Sequence, residues 1–114
     1  MTDDELTDAW LSGAVFPGGI RHEQHLRIAW VLHQRYGEQG ARARLLTGTE
    51  QACRVHGSPE KFDPVLTERW ARAVADAGRR DGFGHSADEF IAAHPDLARG
   101  DRFRRPSAST PSDS

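Results

Sequence analysis

The sequence predicts an all-α fold, a single-domain bundle of four to five helices. Apolar residues recur at spacings of three and four along most of the chain, which is typical of amphipathic helices. No segment alternates apolar and polar residues over the length of a strand. A length of 114 residues suits one domain, which we expect over residues 1–105. Trp10, Trp30 and Trp70 fall at apolar positions of three predicted helices and are expected in the core.

The first two predicted helices flank a loop rich in Gly and Pro. Thr2 and Glu5 have the spacing of a capping box, and the first helix extends from there toward Gly13. The segment GAVFPGGIR then interrupts the helical pattern. The second helix is predicted from about His22 to Tyr36, with Gly37 closing it.

A third helix is predicted ahead of the segment HGSPEKF. Gly40 and Gly48 each weaken it by about 1 kcal/mol, because glycine is a poor residue for a helix interior. Its remaining residues nevertheless place one set of side chains on a common face. These are Leu45, Leu46, Thr49, Ala52, Cys53 and His56.

The last two predicted helices have clear start signals. Asp63 followed by Pro64 combines a side-chain N-cap with proline at the first helical position, and it predicts the start of the fourth helix. Ser86 and Glu89 form a second capping box for a short fifth helix, which Pro95 stops. Residues 106–114, PSASTPSDS, contain no apolar side chain larger than Ala and are predicted to be a disordered tail.

Composition excludes several classes of function. Fifteen basic and seventeen acidic residues give a formal charge of −2, which argues against nucleic acid as the main partner. No run of apolar residues is long enough for a membrane span. One cysteine permits no intramolecular disulfide, and the acidic N-terminus lacks a signal-peptide pattern, so we expect a cytoplasmic protein.

His22 and His25 are the first candidates for chemistry. At positions i and i+3 of a helix, their Cβ atoms would lie about 5–6 Å apart, close enough to share one ion. The N-terminal end of a helix disfavours a protonated imidazole, so the neutral, metal-binding form is favoured there. Histidine is also common at helix ends for structural reasons, and His33, further along the same face, is interpreted as a packed residue.

Two histidines do not complete a metal site, and three other residues are candidate ligands. Asp63 would give two imidazoles and one carboxylate, as in open iron or zinc sites, although it is equally explained as an N-cap. His56 is the second candidate, although it also suits a helix C-terminus. Cys53 would close a tetrahedral zinc site, but it lies on an apolar face where free cysteine is usually a core residue.

Lys61 is the only lysine among the fifteen basic residues. It is a candidate for binding an anionic substrate and is included with His22, His25 and His56 among the candidate catalytic residues. A solvated surface position is the alternative interpretation of this side chain.

Three segments resemble a functionally unassigned group of small all-helical bacterial proteins. IRHEQHLRIAW is similar to the group's F-x-H-x-x-H-L-x-x-A-W motif. VHGSPEKFDPVLTERW resembles its A-H-G-x-x-x-K-Y-H-E-T-I-T-x-A-W segment, and EFIAAHPDL resembles E-F-L-x-x-N-P-x-L. The likeness extends over roughly residues 20 to 98.

The resemblance implies that one set of residues recurs together: His22, His25, His56, Lys61 and Thr67. Where the group has Tyr-His-Glu, this chain has Phe62, Asp63 and Pro64, so a carboxylate replaces a histidine. Asp63 would then either take over the role of that histidine or mark a lost activity. The resemblance supports a shared histidine-rich site and names no substrate.

Two hypotheses of function follow from the sequence. In the first, the histidines form a site that acts on a small organic substrate, either with a divalent metal (Zn or Fe) or by metal-free acid–base catalysis. In the second, the protein is a non-catalytic protein–protein interaction module whose histidines are structural. The sequence leaves the oligomeric state open.

Overall fold

Five α-helices and one short 3₁₀ turn form the part of the chain that the computed structural model describes, residues 1–99. The helices are α1 (Asp3–Leu11), α2 (His22–Val55), α3 (Pro64–Asp81), α4 (Ala87–Ala93) and α5 (Pro95–Arg99), and the 3₁₀ turn is Pro59–Lys61. These residues contain no strand, so the predicted all-α fold is confirmed. The predicted tail, 106–114, and the last part of the predicted domain, 100–105, lie outside the described residues.

The second and third predicted helices are the two halves of α2. Gly37 has φ 75° and ψ −176°, a conformation that glycine adopts readily, and it breaks the regular helix there as predicted. Helical structure resumes directly after Gly37, so no loop separates the halves. The third predicted helix therefore begins earlier than its apolar face indicated.

The predicted helix starts are confirmed by hydrogen bonds at the N-termini. The capping residues are Thr2 for α1, Asp63 for α3 and Ser86 for α4. Pro95 follows the end of α4, as predicted, but it also begins α5, which the sequence analysis missed. Proline fits the first position of a helix because that position needs no backbone donor.

The hydrophobic core lies around α2, which contacts each of the other four helices. Trp10 of α1 is 2% exposed and packs directly over Gly48 of α2, where any Cβ atom would overlap the indole ring. Trp70 of α3 is also buried, as predicted. Trp30 is only partly buried and donates its indole N–H to the carbonyl of Phe83, at 2.8 Å.

Ion pairs hold α1 and α4 against the first half of α2. Arg27 of α2 lies 3.2 Å from a carboxylate oxygen of Asp3 in α1 and 2.6 Å from one of Asp88 in α4. These contacts fix the helix turn that also carries His25. None of the helices within residues 1–99 is both long and apolar enough to cross a bilayer.

Candidate small-molecule site

An open cleft of about 480 Å³ brings together residues that are distant in the sequence. Its lining includes His25 from the start of α2, Cys53 and His56 from the end of that helix, and Lys61 from the 3₁₀ turn. The loop between α1 and α2 closes one side with Gly19 and Ile20. A volume of this size lies within the usual range for small-molecule sites.

His25 lies between two tryptophan rings. Its imidazole makes edge-to-face contacts with Trp10 and Trp70, at centroid distances of 6.3 and 6.5 Å. Burial and, to a smaller extent, the charge of the neighbouring His22 together lower the pKa of His25 from 6.5 to about 4. His25 is therefore neutral at pH 7 and presents one nitrogen as a donor and the other as an acceptor.

His22 is exposed and belongs to a different part of the surface. Its ring centroid lies 6.0 Å from that of His25, so the two rings are neighbours as the spacing predicted. It borders a separate cleft of about 500 Å³ that also includes Arg99 of α5. Of the predicted pair, only His25 lines the cleft that contains His56 and Lys61.

His56 hydrogen-bonds through both ring nitrogens within the protein. Nδ1 lies 2.8 Å from the carbonyl oxygen of Ala52, and Nε2 accepts the backbone N–H of Phe16 at 3.0 Å. A neutral ring with its proton on Nδ1 satisfies both contacts. His56 thus ties the loop between α1 and α2, which contributes Gly19 and Ile20 to the cleft lining, to the end of α2.

Lys61, Thr49 and Ser58 supply the other polar groups of the cleft lining. Lys61 is exposed at the end of the 3₁₀ turn. The pKa of the Cys53 thiol is raised by burial and by the charge of Glu60, while the ammonium group of Lys61 opposes that rise. The charge of Lys61 therefore acts on groups inside the cleft.

Asp63 begins α3 and is occupied as its N-cap. Its Oδ1 accepts backbone N–H groups of Val65 and Leu66, each at 3.1 Å. It is not part of the cleft lining that contains His25. Within residues 1–99, no group of three or more His, Cys, Asp or Glu side chains is arranged to hold a metal ion.

His33 packs against the ring of Phe83, with a centroid distance of 4.7 Å. Burial lowers its pKa; Glu38 opposes this shift and Arg79 adds to it. This environment agrees with the prediction that His33 is a packed residue.

Four parts of the site were not singled out by sequence reasoning. Trp10 and Trp70 were predicted as core residues, and their contacts with His25 were not foreseen. Thr49 was visible as a member of the cleft-side helix face, but its hydroxyl was not considered. Ser58 had no recognisable signal, because its position depends on the turn that follows α2.

Comparisons of the chain with protein-family models, with curated proteins and with solved structures give no match.

Proposed function

We propose that this protein binds a small organic substrate in the cleft lined by His25, His56 and Lys61, and that His25 is its acid–base residue. The observation that supports this proposal is the convergence of these three residues on one cavity of about 480 Å³. Polar groups that converge in a partly apolar cleft are typical of ligand sites. A histidine with a strongly shifted pKa in such a cleft is a candidate for function.

The environment of His25 defines what it can do at neutral pH. Because its pKa is about 4, the ring is neutral and is a weak base in the free protein. A neutral imidazole can donate a hydrogen bond to an oxygen on which negative charge develops, and it can accept a proton at its other nitrogen. The contacts with Trp10 and Trp70 restrict the ring orientation, so a bound substrate would meet it in a defined geometry.

A metal-dependent form of this proposal uses the same histidine. The neutral ring is the form that binds zinc or iron, and His22 lies close enough to add a second imidazole. His56 and Asp63, the other proposed ligands, already make hydrogen bonds within the protein. We therefore prefer the metal-free form; elemental analysis of wild type and the His22→Ala/His25→Ala variant separates the two. Near-stoichiometric metal that is lost in the variant would reverse this preference.

A compound screen followed by a turnover assay tests the proposed function. Small organic compounds would be screened by ligand-observed NMR, and the hits would be mapped through amide shifts of Thr49, Cys53 and Ser58. Compounds that map to the cleft would then be incubated with the protein, and their conversion would be followed by mass spectrometry. We expect conversion by wild type and a strong loss of conversion in His25→Gln.

His85→Gln is the matched control, because His85 is exposed and does not line the cleft. It should convert the substrate as wild type does. Equal conversion by His25→Gln and His85→Gln would contradict the role of His25, and binders that all map elsewhere would contradict the site itself.

The alternative, an interaction module, is favoured by two exposed apolar side chains that are chain neighbours of Phe16 and His56. Val15 is 61% exposed and Val55 is 37% exposed, and each is one residue from the hydrogen bond between Phe16 and His56. In this alternative the histidines only hold the loop in place. It predicts that no compound is converted and that His25→Gln changes stability alone.

A further inference from the structure

Lys61 is the charged side chain of the cleft lining. It is the only Lys, Arg, Asp or Glu among the described residues of the lining. Within residues 1–99 it makes no ion pair, whereas α2 arginines such as Arg27 and Arg35 are each paired with carboxylates. Lys61 therefore presents a cation whose charge no carboxylate of the described chain neutralises by direct contact.

Two nearby features oppose this positive charge. Glu60 is exposed and does not line the cleft, although its charge shifts the pKa of Cys53 more than the charge of Lys61 does. The C-terminal end of α2 carries about half a negative charge, but its last carbonyls are bonded. Ala52 accepts from His56, Cys53 accepts from Ser58, and Arg54 accepts from Gly57.

The remaining lining fits a ligand with one charged end and an apolar body. Thr49 and Ser58 carry hydroxyl groups that can donate to an anion, and Ile20 and Ala52 provide apolar surface. One ammonium group and two hydroxyls suit a single negative charge better than a dianion, which needs more than one cation.

We propose that the substrate of this cleft is a small organic carboxylate whose charged end is bound by Lys61. This inference rests on the proposed function, because it assigns a chemical class to the ligand of the same site. The cleft then discriminates against neutral compounds of the same shape, since these leave the ammonium group without its partner.

Two pairs of probes test the inference: phenylacetate with phenylacetamide, and butyrate with butyramide. The members of each pair have the same shape and differ in charge. Their dissociation constants would be measured from the amide shifts of Thr49, Cys53 and Ser58 in wild type. We expect at least one carboxylate to bind about tenfold more tightly than its amide, as a charge-assisted hydrogen bond would give.

Lys61→Gln should remove this preference for the carboxylate. Arg69→Gln is the matched control, because it deletes the same charge from an exposed position outside the cleft lining, and it should retain the preference. Circular dichroism checks that both variants remain helical. Retention of the preference in Lys61→Gln, or its loss in Arg69→Gln, would overturn the inference.

The results for the amides separate this inference from the proposed function. Amides that bind in the cleft as tightly as the carboxylates would overturn the inference and leave the small-molecule site intact. If none of the four probes binds in the cleft, the inference is also overturned. The proposed function is contradicted only if the compound screen finds no ligand of the cleft at all.

Discussion

Two groups of aromatic rings in this molecule contain histidine, and they differ in what lies beside them. In the cleft ring group, His25 contacts Trp10, Trp70 and His22. In the phenylalanine ring group, the ring of His33 contacts that of Phe83, Phe83 contacts Phe90, and Phe90 contacts His94. Of the two groups, the first presents a histidine, His25, to the cleft that also contains Lys61, whereas His33 and His94 do not line that cleft.

The comparison shows that burial and ring contacts do not by themselves identify a functional histidine. Burial lowers the pKa of both His25 and His33. His94 is 8% exposed, and its Nε2 lies 3.7 Å from a carboxylate oxygen of Asp81 at the end of α3. The phenylalanine ring group therefore joins helices, while the cleft ring group also meets a space of ligand size.

The largest expected effect is the loss of stability in Phe90→Ala. Phe90 is 2% exposed and lies between the rings of Phe83 and His94, so its truncation leaves a large cavity. We expect the free energy of unfolding to fall by about 3–5 kcal/mol, measured by urea denaturation. Val65→Ala is the control, because Val65 is 65% exposed and should change stability by less than about 0.5 kcal/mol.

A small effect of Phe90→Ala would show that the phenylalanine ring group is not a structural centre. The comparison between the two groups would then lose its basis.

The next effect concerns the pH dependence of stability. The pKa of His25 is about 4 in the folded protein and 6.5 when unfolded, so the unfolded state binds more protons between these values. The stability that the neutral His25 ring contributes is present above pH 6.5 and is lost as the pH falls toward 4. At pH 5 the loss is on the order of 2 kcal/mol.

In His25→Gln, the free energy of unfolding should fall less between pH 7 and pH 5 than it does in wild type, because the variant lacks the titrating imidazole. Urea denaturation of wild type and variant at pH 7 and pH 5 isolates it, because other titrating groups are common to both proteins. If wild type and His25→Gln lose the same free energy of unfolding between pH 7 and pH 5, the His25 ring is not shielded from solvent as its contacts in the cleft ring group require.

Gly48→Ala should destabilise the protein by about 1 kcal/mol, although alanine is the better helix former. The added methyl group would overlap the Trp10 ring, and overpacking of about 1–3 kcal/mol exceeds the gain of about 1 kcal/mol in helix propensity. The midpoint temperature of thermal unfolding, compared between wild type and Gly48→Ala, shows whether the substitution stabilises or destabilises the protein. A stabilised Gly48→Ala variant would show that Trp10 is not fixed over α2, and its contact with His25 would then be in doubt.

The sequence predicted most of the fold because the helix boundaries are local features. Asp63-Pro64 and Ser86 act within one helical turn, and each starts a helix where expected. The predicted capping box of Ser86 and Glu89 forms only in part, because the Glu89 carboxylate accepts the backbone N–H of His85 rather than that of Ser86. The short helix α5 was missed because its five residues contain no capping pattern and too few apolar positions for a period.

The candidate site was predicted only in part, because its assembly depends on contacts between distant residues. The motif H-x-x-H identified His22 and His25 as neighbours, but only packing against Trp10 and Trp70 distinguishes the partly buried ring of His25 from the exposed ring of His22. The hydrogen bond between His56 and Phe16 links positions 40 residues apart, and no local pattern predicts the path of that loop.

The most direct test of the account is an NMR titration of the His25 ring, assigned with the His25→Gln variant. The proposed site needs a neutral imidazole in contact with Trp10 and Trp70 at the edge of the cleft. We therefore expect a pKa of about 4 for His25 in the free protein. A pKa near the ordinary value of 6.5 would place the ring in solvent and contradict the site proposed for it.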